Sequence, residues 1–498
     1  MKLASLKGIL LTIGLAVVAG PLLASDLFVS ADSTDAAKAS SETWVTRARN
    51  VAVAIDAVDG VQPADVLGLN LFADAVFDGR VEAVKVLGAN RAIIRGVLKG
   101  VDGSQFMLAR NQDVLVGTIR AGDLGVFYLR HTQGGHQVQA VDQSALPACA
   151  TGHEHALSAP KQSLDLATVY DDGSVIDVMV VYTPNARISV GGTTAMQALI
   201  DLAVSETNTA YLESQISHRI NLVHSYEVNY SSSGSFDIDL NRLTSNTDGY
   251  MDDVHPTRDQ YSADLVSLFT NNGQYCGIAW VMTALTTGFE ANGFNVVFHG
   301  CATGYYSFGH ELSHNMGSAH DRANAGAALY PYSYGWRFLG SDGLEYRTVM
   351  AYAPGTRVDR FSNPNVAYQD TATGTVDDDN ARSINDAALT VSNFRDSTGV
   401  QPQPLATYST ATKMLWVGNT QVIGGSNLET QFVRQGGSFI LTYMGPPTTF
   451  DVGATYDPLT EVMVVPNGTI IETQESFSLE LLRTGGSKFQ ITGYTITP

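Results

Sequence analysis

The chain has 498 residues, 44% apolar and 16% charged, a globular composition long enough for two to four domains. With 49 acidic against 29 basic side chains the net charge is −20. That excludes a nucleic-acid partner, which needs a basic face, and suits a soluble exported protein kept dispersed by self-repulsion. Three cysteines are too few for a disulfide-dense scaffold but allow one bridge.

Lys2 and Lys7 precede an apolar run from Gly8 to Gly20, broken only by Thr12, and small residues follow at Ala24 and Ser25. This pattern predicts a signal peptide over residues 1–24 and a secreted protein with no membrane partner in its mature form. The run is short of the ~20 residues that a membrane span needs. Residues 25–170 read as short strands. Val81–Leu87 and Asp113–Ile119 show partial period-two alternation, and the region carries no catalytic cluster.

From Val175 the pattern changes. Ile176–Tyr182 is an apolar run suited to a strand buried on both faces. Thr193–Tyr211 has apolar residues at helical spacing, and Ile220–Val228 alternates like a strand. Asp259–Phe269 predicts a helix, Gly277–Val281 a strand and Asn380–Arg395 a last helix. Strands and helices therefore alternate through residues 175–397, which predicts an α/β domain. Gln401-Pro402-Gln403-Pro404 lies in a linker at 398–404. Residues 405–498, rich in Thr, Gly, Val, Tyr and Phe with an Asn467-Gly468 turn, predict a small all-β, sandwich-like domain.

The chemistry concentrates in His310-Glu311-Leu312-Ser313-His314-Asn315-Met316-Gly317-Ser318-Ala319-His320-Asp321. On a helix, His310 and His314 share one face a turn apart and can reach one ion. Glu311 can reach a metal-bound water without being a ligand. Gly317 can end the helix in a left-handed conformation, turning the chain so that His320 joins the first two. Three imidazoles and one open position make a catalytic zinc site, whereas a structural site is closed by a fourth protein ligand. Ser307 predicts the N-cap region of this helix. Downstream, Met350 lies in an apolar turn. Tyr352 is either an oxyanion donor near the open coordination position or a wall of the pocket.

The long motif followed by Met350 resembles the metzincin zinc endopeptidases, and Asp321 directly after the third histidine is similar to their adamalysin (reprolysin) branch. Tyr352, two residues after the methionine, is more typical of the astacin and serralysin branches. The resemblance covers about residues 175–397 and implies an α/β (α+β) fold with a mixed twisted sheet and a zinc helix. It implies that His310, His314 and His320 hold one Zn²⁺, that Glu311 is the general base, and that Met350 lies beneath the metal. Asp321 would then anchor the segment below the site. Gly277-Ile278-Ala279-Trp280-Val281 would be the edge strand that pairs with an extended protein or peptide substrate. Residues 25–170 would be a β-rich propeptide that folds over the cleft and is removed.

In an exported chain Cys276 and Cys301, which flank that strand and the approach to the zinc helix, form the expected disulfide. Cys149 is left over, as a thiolate that blocks the open zinc position or as an unpaired thiol. Arg357 and Arg360 follow the methionine where the wall of the specificity pocket should lie, and would favour acidic peptide residues. Asp377-Asp378-Asp379 is either part of a Ca²⁺ site or a solvated turn capping the following helix. The reading is a secreted, latent zinc endopeptidase. Its rival is a non-catalytic zinc-containing protein that binds a surface through its C-terminal β-domain.

Overall fold

The computed structural model describes residues 26–30, 42–88, 90–150, 171–395, 406–423, 426–445, 453–471, 473 and 476–497. The expected signal peptide and the linker at 398–404 lie outside the described residues. Val175–Tyr182 is apolar on both faces and sits within a five-stranded sheet ordered Arg219–Glu227, Val175–Tyr182, Leu265–Thr270, Phe294–Phe298 and Gly277–Ala279. The first four strands are parallel and the last is antiparallel. Gly277–Ala279 is therefore an edge strand of a mixed sheet. Helix Thr193–Glu213 and helix Ser307–Asn315 share one core with these strands. The buried Asn315 carboxamide donates to Trp280 O (3.0 Å) and Phe294 O (3.1 Å), tying the second helix to the sheet margin.

The helix expected over Asp259–Phe269 is instead a short helix, Val254–Gln260, followed by the strand Leu265–Thr270. Ser262, at φ +50°, turns the chain between them. A short apolar run buried on both faces does not reveal its own period, so length and β-branching had to decide, and here they were ambiguous. The last helix spans Asn380–Val391. Helices Pro184–Ser189 and Phe236–Thr244 escaped the sequence reading. The first starts with Thr183 as N-cap, its side chain accepting from Ala186 N, and Pro184 at the first helical position.

Upstream, nine antiparallel strands from Phe28–Ser30 to Gly135–Val141 form one sheet. A bridge between Asp26 and Gly68 brings its two ends together. In Gln105–Asn111, Phe106 and Leu108 point into the sheet's own core, while Met107 and Ala109 join the core shared with helix Thr193–Glu213. The neighbouring strand Val114–Arg120 is likewise buried on both faces, which is why the alternation over Asp113–Ile119 is only partial. Polar clamps add to this interface: Arg91 makes a bidentate pair with Asp201, and Arg130 donates to Thr303 O.

The C-terminal strands form one eight-stranded sheet rather than two. Extra pairings of Ala406–Tyr408 with Val462–Ile470, and of Met414–Val422 with Ala454–Asp457, close it on itself. A bulge between Val417 and Thr420 lets one strand pair with Leu428–Gln435 first and with Ala454–Asp457 later. Among the described residues no helix is long and apolar enough to cross a membrane.

Candidate metal centre and active site

Helix Ser307–Asn315 starts at Ser307 itself, so that residue is not the N-cap; Tyr306 is, with a left-handed backbone at φ +61° and no side-chain cap. Gly317 has φ +85°, and a Cβ there would lie 2.5 Å from the Leu329 side chain. Only glycine fits both the conformation and the space. The turn brings His320 back: its Nε2 lies 3.1 Å from that of His310 and 3.0 Å from that of His314. The opposite nitrogens are occupied by carbonyls, His310 Nδ1 by Val349 O (2.9 Å) and His314 Nδ1 by Ser318 O (2.8 Å). A proton on each Nδ1 leaves the Nε2 lone pairs facing one another, an arrangement that a shared cation stabilises. Nitrogens at about 2.1 Å from a tetrahedral zinc sit about 3.4 Å apart, close to what is seen. Burial holds the imidazoles below their usual range, His314 down to about 4. They are therefore in the neutral, ligating form. The donor set fits zinc.

Glu311 is fully buried, and neither carboxylate oxygen has a hydrogen-bond partner of proper geometry. Burial pushes its pKa up to about 8. Its carboxylate packs against Gly277 of the edge strand, where a Cβ would come within 2.3 Å of Glu311 Oε1. Met350 is buried and follows Val349, whose carbonyl fixes His310. The Tyr352 ring lies on His320 with centroids 4.1 Å apart, and its backbone N–H donates to Asp321 Oδ2 at 3.0 Å. Asp321 also accepts from Asn324 Nδ2 and from Arg337 (2.9 Å). It thus links the third histidine to the methionine turn.

A family model described as Reprolysin_5, metallo-peptidase family M12, matches residues 172–362. A peptidyl-Asp metalloendopeptidase of Stenotrophomonas maltophilia (strain K279a) is 34% identical over 304 residues, 59% of this chain and 71% of the relative. The protein of the same name from Xanthomonas campestris pv. campestris is 34% identical over 322 residues, 62% of this chain and 74% of the relative. The one from Pseudomonas fragi is 28% identical over 193 residues, 38% of this chain and all of the relative. The chain belongs to the reprolysin-like M12 metallopeptidases. It is a zinc metalloendopeptidase, a hydrolase of peptide bonds.

In this metallopeptidase the edge strand is already engaged. Cys276 N donates to Ala148 O (3.1 Å) and Ala150 N donates to Gly277 O (2.9 Å). Between them, the buried Cys149 sulfur lies within 4.8 Å of a ligand atom of both His310 and Glu311. The Tyr352 hydroxyl donates to Cys149 O. Cys276 and Cys301 are disulfide-bonded with Cα atoms 5.4 Å apart. Beyond the strand, Trp280 Nε1 donates to Thr244 Oγ1 at 2.8 Å, and Val281 is buried.

The two arginines after the methionine turn part company. Arg360 is paired with Asp359 (2.6 Å) and Glu213 (2.9 Å). Arg357 is buried, and its charge acts on His310, Glu311, His320 and Cys149. Asp379 caps helix Asn380–Val391 by accepting from Arg382 N at 2.9 Å, and Asp378 pairs with Arg322 at 2.7 Å. Among the described residues, the groups of three or more side chains able to share an ion are the histidine trio and Cys149–His310–Glu311. The packing of Gly277 on Glu311 was missed in the sequence. Its signal is a lone glycine inside a strand, a mark of close approach.

Proposed function

We propose that the chain is a secreted zinc endopeptidase made as a latent precursor, with His310, His314 and His320 holding the metal and Glu311 as general base. The observation that carries this is the convergence of three Nε2 atoms beside a buried carboxylate that no backbone donor or cation holds, only the Cys149 thiol facing it. A zinc ion bound there supplies a Lewis acid for the scissile carbonyl and lowers the pKa of a water. Glu311 takes the proton of the attacking water and passes it to the leaving amine. The substrate lies extended on Gly277–Ala279, adding a strand to the sheet, which sets its carbonyl next to Glu311. Tyr352, once its hydroxyl is released from Cys149 O, donates to the developing oxyanion.

In this reading residues 25–170 are the propeptide and residues 1–24 direct export. Ala148–Ala150 holds the substrate's place on the edge strand, and the Cys149 thiol competes for the open metal position. The relatives' name, peptidyl-Asp metalloendopeptidase, supports cleavage at aspartyl residues. A purely surface-binding role is disfavoured, because a buried glutamate that faces nothing stronger than a thiol is destabilising unless chemistry needs it.

The test is casein hydrolysis by the matured protein. Glu311→Gln should bind zinc normally and lose at least about 10³-fold in kcat, and chelation should abolish activity. Hydrolysis that survives either treatment overturns the assignment.

A further inference from the structure

We propose that Arg357 is the specificity-determining residue that binds the carboxylate of an acidic side chain next to the scissile bond. The inference rests on the endopeptidase reading above and adds the residue that selects the substrate.

Four observations carry it. Arg357 is 1% exposed, and its charge is not neutralised by any carboxylate within ion-pair distance among the described residues. Its guanidinium stacks on Tyr305, 4.0 Å from the ring centroid, and Nη1 donates to Tyr305 O at 2.9 Å, while Nε has no partner. The neighbouring Arg347 is different: Nε donates to Gly355 O (2.8 Å), Nη1 to Ala351 O (2.7 Å) and Nη2 to Tyr305 Oη (3.0 Å). Arg347 is therefore spent on shaping the loop after Met350, and its like charge makes an anion beside Arg357 more welcome still. Finally, the N-terminal domain covers Arg357 without supplying that anion. Gln143 Oε1 accepts from Arg357 N at 3.2 Å, and Arg120 Nη1 donates to Arg357 O at 3.0 Å.

A buried, stacked guanidinium with an unused donor is an incomplete ion pair, and a carboxylate arriving with substrate completes it with charge-assisted hydrogen bonds. A site built to hydrogen-bond a substrate group strongly rejects an analogue that lacks it. The amide of asparagine fills the same volume as aspartate without the charge.

The experiment uses the full chain, expressed, loaded with zinc and allowed to mature, on quenched fluorescent peptides differing only in one residue beside the cut: Asp, Asn or Leu. The unmodified protein should prefer Asp over Asn by about 10²-fold or more in kcat/KM. Arg357→Gln should bring that ratio close to one, Arg357→Lys should restore part of it, and Arg360→Gln should leave it unchanged. An Asp:Asn ratio near one in the unmodified protein overturns the proposal without any variant having to fold. So does an unaltered ratio in Arg357→Gln, or a collapse in Arg360→Gln instead. If no peptide of any kind is cut by the zinc-loaded protein, the endopeptidase reading fails first and takes this inference with it.

Discussion

Gly277 shows how one missing methyl group can serve a reaction. Its hydrogen stands where a Cβ would press into Glu311 at 2.3 Å, and the displaced atoms would be the carboxylate itself. Gly277→Ala should leave the three histidines and zinc content intact yet lower kcat/KM by about 10²-fold, because catalytic groups misplaced by an ångström lose about that much. Metal analysis and peptide kinetics on one preparation check this; loss of zinc in parallel with activity would point to collapse of the helix instead. The histidines, Glu311 and Gly317 were legible in the sequence because they lie within twelve consecutive residues, where helix geometry alone dictates who meets whom. Gly277 and Glu311 meet only through the tertiary fold. Arg357 and Arg360 were indistinguishable in the sequence, since their roles depend on Asp359 and Glu213, one adjacent and one on a distant helix.

Among the elements, the strand Leu265–Thr270 was mistaken for part of a helix, and its N-terminal neighbour explains a pH effect. Asp264 Oδ2 accepts from Asp177 N at 2.9 Å, which brings a second carboxyl up to the interior strand Val175–Tyr182. Burial pushes Asp177 up to about 6, and burial together with the neighbouring Asp177 charge raises Asp264 well above the ordinary carboxylate range. A carboxyl whose pKa is raised by folding favours the native state below about pH 4 and loses that contribution as pH climbs through its folded value. The contribution of Asp177 to the stability of this domain should therefore fall between about pH 4.5 and 7, against the opposite trend set by buried histidines such as His218 and His299, held down at about 3 and about 4. Asp177→Asn should remove that contribution, so that the variant's stability gains about 1–3 kcal/mol on the unmodified protein between the two pH values. Urea unfolding at the two pH values measures this, and an equal slope in both proteins would refute it. The β-rich segments on either side were legible as β from composition. Their closure into continuous sheets was not, because long-range pairings such as Asp26 with Gly68 leave no local trace.

For the whole molecule, the N-terminal domain is a cover held at many points. It shares an apolar core with helix Thr193–Glu213, inserts Arg120 and Gln143 around Arg357, and lays Ala148–Ala150 along the edge strand. Under the latency reading, Cys149→Ser should weaken only the grip on the metal. The precursor should then gain measurable peptidase activity while remaining full length, and mature faster than the unmodified chain. A variant that stays silent until the N-terminal domain is cut away would show that steric cover alone maintains latency.

The C-terminal domain takes part in the same arrangement. Lys85, on the N-terminal strand Ala75–Gly88, reaches the fully buried Glu429 at 3.2 Å, and Val86 N donates to Gln431 Oε1 at 2.9 Å. Glu429 is held in turn by Trp416 Nε1. Stripping away the first domain would leave that carboxylate without its cation and remove one of the third domain's moorings, leaving the side where Tyr443 faces Arg219. Under the latency reading, the cut that bares the cleft would thus also slacken the hold on residues 406–497, so that a single scission makes both a working blade and a looser grapnel on its line.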